Sequence, residues 1–130
     1  TTSATCTRVP VIDGHVVVLS VALDASPTPD EIIAAWTNFQ APDLVANLPS
    51  APRQPLEYLP QIDRPQPRRD RQAGNGMATS IGRLRECPVL GYKFVTLSHN
   101  TIRGAAGSSI INAELMAVQG LIHGFRPILA

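Results

Sequence analysis

Runs of β-branched and apolar residues open the chain. Residues 4 to 12, "ATCTRVPVI", predict a strand that runs into Asp13-Gly14, a dipeptide that favours a tight hairpin turn. In "HVVVLSVAL", residues 15 to 23, the odd positions Val17, Leu19, Val21 and Leu23 form the more apolar face of a second strand. An antiparallel pair is expected. The period then changes to that of a helix in "TPDEIIAAWTNF", which carries a full start signal: Thr28 as N-cap, Pro29 in the first turn and Glu31 three residues after the cap. Ile32, Ala35, Trp36 and Phe39 recur at helical spacing and should face the sheet.

From Ala41 to Gly76, prolines and arginines interrupt every period except at "LEYL", residues 56 to 59, a short candidate edge strand. Residues 61 to 76 are read as one long Pro/Arg-rich loop, and loops of that length tend to serve function or to pack on a partner. Met77 to Leu84 and Tyr92 to Ser98 follow as strand-like runs, and Ala105 to Ile122 as a helix. That helix carries Ile111, Leu115, Val118 and Ile122 on one face and is ended by Gly124 and Pro127. The order predicts a single α+β domain over residues 1–130, with a mostly antiparallel or mixed sheet and helices on one face.

Composition narrows the function classes. The chain has 130 residues, 44% of them hydrophobic and 16% charged, enough for one real core. A net charge of +1 gives no reason to expect nucleic acid, and no run approaches the length of a membrane span. Nothing at the start resembles a signal peptide, so a cytoplasmic protein is expected; the absence of an initial methionine leaves excision from a longer chain open. Cys6 and Cys87 lack the close spacing of a zinc or redox motif and are read as free, buried thiols, with no metal expected. "GAAG" at 104 to 107 has the wrong glycine spacing for a dinucleotide-binding turn.

The residues with chemistry cluster in "CTRVPVIDGH". Taken alone, a histidine beside a turn is more often structural than catalytic, and His15 and Arg8 stand as candidates for the two parts of one site. A strict two-residue turn would set Arg8 opposite Leu19, on the face of His15 but about 13 Å along the strand. That distance suits the two ends of an extended ligand; a wider connection would let them converge. His99 is read as a hydrogen-bonded cap for the turn that follows it. Arg64, Arg68, Arg69 and Arg71 alternate with Asp63 and Asp70 as a solvated or subunit-contacting loop. Arg83 and Arg85 are assigned to opposite faces of their strand, leaving Arg83 to line a substrate pocket.

Four stretches, "CTRVPVIDGH", "DRPQPRRDR", "SIGRLRE" and "LSHNTIRGAAGSSIINAEL", resemble in order and interval the C-terminal region of aspartate-semialdehyde dehydrogenases, most of all those of fungal and archaeal type. The resemblance covers almost the whole chain. It implies that Arg8 holds the substrate carboxylate, that His15 is the acid/base partner of a cysteine nucleophile, and that Asn100, Gly104 and Ala105 approach a nicotinamide. By the same correspondence Cys6 is not the nucleophile, since it matches a position just before the arginine. The nucleotide-binding domain, the nucleophile and a glutamate and lysine that bind substrate and phosphate in the family have no counterpart in these residues.

Three functions follow. The preferred expectation is a stand-alone relative that performs cofactor-independent acid/base chemistry, as an isomerase, lyase or cyclase, on a carbonyl compound with an anionic group. The alternative is a fragment or split subunit of an NADP-dependent aspartate-semialdehyde dehydrogenase. The third is a non-catalytic dimerisation or binding module. Arg8, Arg83 and Asn100 are the expected substrate contacts, and a second copy of the chain is the expected partner.

Overall fold

The computed structural model describes residues 1–122. Five strands form one mixed sheet in the order β1-β2-β5-β4-β3, with β1 at Thr2–Thr7, β2 at His15–Val21, β3 at Leu56–Leu59, β4 at Thr79–Cys87 and β5 at Gly91–Ser98. Neighbours pair antiparallel except β3 and β4, which run parallel. Helix α1 spans Pro29–Thr37, α2 Asp43–Ala46, α3 Pro67–Asp70 and α4 Gly107–Val118, the last preceded by a π-helical turn at Ile102–Ala106. The helix expected over Ala105 to Ile122 thus begins earlier, with a wide turn at Ile102, and ends at Val118, short of Ile122; Gly124 and Pro127 lie outside the described residues.

The start of α1 follows its sequence signal closely. Thr28 Oγ1 accepts from the Glu31 amide at 3.3 Å, and the Glu31 carboxylate accepts from the Thr28 amide at 2.7 Å. One face of the sheet lies under this helix: the Trp36 ring centroid is 4.9 Å from that of Phe94 and 6.0 Å from that of Tyr58. Ile32 is buried there, whereas Phe39 falls beyond the helix end and is 44% exposed, against the expectation that it faces the sheet. The opposite face meets Arg64 and Pro67 of the excursion between β3 and β4. A side chain at Gly14 would touch both Pro67 and Leu97, and one at Gly82 would touch the Arg64 carbonyl. Within this excursion Asp70 is buried and accepts from Arg64, from the Arg64 Nε at 2.7 Å and from the Gln66 amide at 2.6 Å.

The core is lopsided. Leu59, Met77, Ile81, Val95 and Leu97 are buried around β3, β4 and β5, while the described side chains of β1 are exposed and those of β2 past His15 are half-buried. Cys6 is therefore exposed and Cys87 half-buried; both are free, and the expectation of two buried thiols fails because the strand that holds Cys6 is an uncovered edge. Hydrogen bonds to the Leu90 and Val89 amides pull the Cys87 thiol below its ordinary value. No helix among the described residues is long and apolar enough to cross a membrane.

Candidate active site

The connection between β1 and β2 decides the site. The ladder ends with Thr7 opposite Val16, so residues 8 to 14 form a wide loop, with Arg8 at its start and His15 directly after its end. A two-residue turn at Asp13-Gly14 with Arg8 opposite Leu19 is not what forms; Ala4 faces Leu19 instead. Pro10 explains the difference, because it has no N–H to give to a ladder, and the chain turns there with the Val11 amide donating to the Val9 carbonyl at 2.8 Å. Arg8 and His15 line one cleft of about 410 Å³ together with Val11, Ile12, Gly14 and Asn100.

Asn100 reaches this cleft from the other side. It sits just past the end of β5, whose Ser98 pairs with His15, and its Oδ1 accepts from the Gly14 amide at 3.0 Å. Gly14 has φ +116°, a conformation that side-chain-bearing residues rarely adopt, and a Cβ there would come within 2.8 Å of the Pro67 side chain. Four separate segments thus meet at the backbone beside His15: the β1–β2 loop, the end of β5, the turn after it and α3.

His15 also borders a second cleft with Ser98, Asn100, Arg103 and Gly104. His15 and Asn100 thus border both clefts, Arg8 only the first and Gly104 only the second. Gly104 leaves room, since a Cβ there would meet only the His99 carbonyl, at 3.6 Å. Ala105 is exposed and is not among the residues that line this second cleft.

Arg83 is not brought to either cleft. Gly82 pairs with Val95 and Arg85 with Lys93, so β4 carries one extra residue at Arg83–Leu84, a bulge in which Arg83 adopts φ +58°. This end of the sheet lies about four residues, roughly 13 Å, from Ser98 and His15. Assigning Arg83 and Arg85 to opposite faces was also mistaken in principle, since residues two apart on a plain strand share a face. Both are exposed, and Arg85 Nη1 donates to the Arg83 carbonyl at 2.9 Å. Arg103, which sequence reasoning passed over, is the cation that borders the His15 cleft; its place in the same short stretch as Asn100 and Gly104 was the available signal. The loop arginines divide: Arg64 is committed to Asp70, and Arg68 and Arg69 are exposed.

Comparison with known proteins settles the family. Residues 1–103 match the model described as semialdehyde dehydrogenase, dimerisation domain. The chain belongs to that family. As a semialdehyde dehydrogenase dimerisation domain it is 46% identical over 120 residues to the aspartate-semialdehyde dehydrogenase of Archaeoglobus fulgidus, covering 92% of this chain and 34% of that protein. It is 49% identical over 123 residues to the enzyme of Cryptococcus neoformans, covering 93% of this chain and 34% of that protein. Its fold superposes with TM-score 0.76, at 42% identity, on the crystal structure of the Candida albicans enzyme with NADP, over 88% of this chain and 33% of that one. The chain spans about a third of the length of the relatives it matches. These findings overturn the expectation of a cofactor-independent isomerase, lyase or cyclase. They support the alternative, in which these residues correspond to the C-terminal region of an aspartate-semialdehyde dehydrogenase.

Proposed function

We propose that this dimerisation domain supplies the substrate anchor and the acid/base group of an NADP-dependent aspartate-semialdehyde dehydrogenase, completed by a nucleotide-binding portion outside these residues, and that it works in the cytoplasm as a homodimer. The observation that carries the reading is the meeting of Arg8 and His15 at the end of one ladder, with Asn100 fixed on the glycine between them. Arg8 offers a carboxylate a paired, planar set of donors. With the carboxylate seated there, the substrate's carbonyl end extends toward His15, which exchanges protons with the reacting groups as general acid and base. NADP, when bound, supplies hydride acceptance. Asn100 and the side-chain-free Gly104 are the residues of this chain that would face its nicotinamide, and the open wall they form beside His15 suits a flat ring.

Reconstitution tests the proposal. The chain is co-expressed with the remaining two thirds of the Archaeoglobus fulgidus relative, and NADP reduction is followed with aspartate semialdehyde and phosphate as substrates. Activity that requires both parts and falls on His15→Ala supports the reading. No activity from this pair, when the relative's own C-terminal third restores its other part, would overturn it.

A further inference from the structure

We propose that His99 is a positioning residue for His15, acting through the turn that carries Asn100; the functional meaning of this rests on the dehydrogenase reading, but the positioning does not. His99 is only 3% exposed, and its imidazole is committed to its own chain. Nδ1 receives the Thr101 and Ile102 amides, each at 3.3 Å, with the Thr101 hydroxyl at 3.1 Å. Two N–H donors aimed at one ring nitrogen require that it carry no proton, so the Thr101 hydroxyl donates as well and the ring proton sits on Nε2. The His99 carbonyl accepts from the Gly104 amide at 2.9 Å, so side chain and backbone together close residues 99 to 104 into a fixed turn at the head of the last helix.

The consequence lies one residue along. With the turn closed, Asn100 presents Oδ1 to the Gly14 amide at 3.0 Å. Gly14 lies past the last pair of the β2–β5 ladder, His15 with Ser98, and so takes its register from this contact rather than from the sheet. His99 therefore holds the turn, the turn holds Asn100, Asn100 holds Gly14, and Gly14 sets where His15 leaves the ladder. The Asn side chain places its oxygen close to the position of an imidazole Nδ1 and caps turns in the same way, so His99→Asn should keep the chain of contacts and His99→Ala should break it.

Amide hydrogen exchange by NMR on the full chain reads this directly. Gly14 is expected to exchange at least about ten-fold faster in His99→Ala and in Asn100→Ala, with Val95 and Leu97 in the central strand unchanged, and to keep its wild-type rate in His99→Asn. Wild-type exchange of Gly14 in His99→Ala or Asn100→Ala would overturn the proposal. So would equal acceleration at Gly14, Val95 and Leu97, which marks general loss of stability and not loss of positioning. Should His99→Ala fail to fold, His99→Asn and Asn100→Ala decide: slow exchange in the first with fast exchange in the second supports the proposal, and any other pairing overturns it. A reconstituted enzyme that stays inactive while Gly14 responds as expected counts against the dehydrogenase reading alone.

Discussion

Gly14 shows how much of the site depends on one residue without a side chain. Its positive φ and its contact with Pro67 each oppose a Cβ, so Gly14→Ala should lower stability by more than about 1 kcal/mol, read as a fall in the urea midpoint. Gly104→Ala, with only a carbonyl at ordinary contact distance, should leave the midpoint nearly unchanged. The two residues of the cleft should separate kinetically in the reconstituted enzyme. His15→Ala removes a proton-transfer group and is expected to lower kcat by about 10²-fold or more, whereas Arg8→Ala removes an anchor and should act mainly on KM. Unchanged kcat in His15→Ala would remove it as the acid/base. Arg8, His15 and Asn100 were all legible as motifs, but their meeting was not. Residue spacing left two outcomes, two ends of a strand for a tight turn or convergence for a wider connection, and the wider one forms, because where a ladder stops depends on Pro10 and on pairing with β5 and not on the Asp-Gly signal.

Among the elements, α1 was the most legible because its signal is local and complete. Thr28→Ala should cost about 1 kcal/mol in thermal or urea denaturation. The Thr28 amide and hydroxyl hold the Glu31 carboxyl below its ordinary value of 4.5. A lowered folded value means that this contribution is fully present above the ordinary value and is lost as pH falls through the lower one. Glu31→Gln should therefore show a shallower loss of stability than wild type as the pH is lowered below about 4.5. At the last helix the reading of His99 as a hydrogen-bonded cap for the following turn holds, but the start expected at Ala105 lies at Ile102, because a π-helical turn has no local signal in the sequence. At the β4 bulge the available signal was Gly82, a lone glycine inside a strand pattern directly before the extra residue. In the excursion between β3 and β4, Arg64 and buried Asp70 looked like two members of a solvated charge run. Arg64→Ala leaves that carboxylate without its counter-charge and should destabilise by about 3 to 5 kcal/mol, measured by urea unfolding.

For the molecule as a whole, the alternation of strand and helix segments was enough to predict an α+β sheet, while the order of strands depended on contacts that no local pattern encodes. The burial that results is uneven, with the β1–β2 side of the sheet left exposed or half-buried. On the proposed homodimer, light scattering at micromolar concentration should give twice the 13.9 kDa chain mass, and a monomer mass would reject it. The strand order also has a bearing on biosynthesis. β2 completes its hydrogen bonding only against β5, which leaves the ribosome roughly seventy residues later, whatever else the polypeptide contains. At translation rates of about 5 to 20 residues per second, the first hairpin waits several seconds with one edge of β2 open. During that interval the most β-prone stretch of the nascent chain, "HVVVLSV", is available to any other strand it meets, so slowing elongation between Val21 and Gly91 should raise the insoluble fraction on expression.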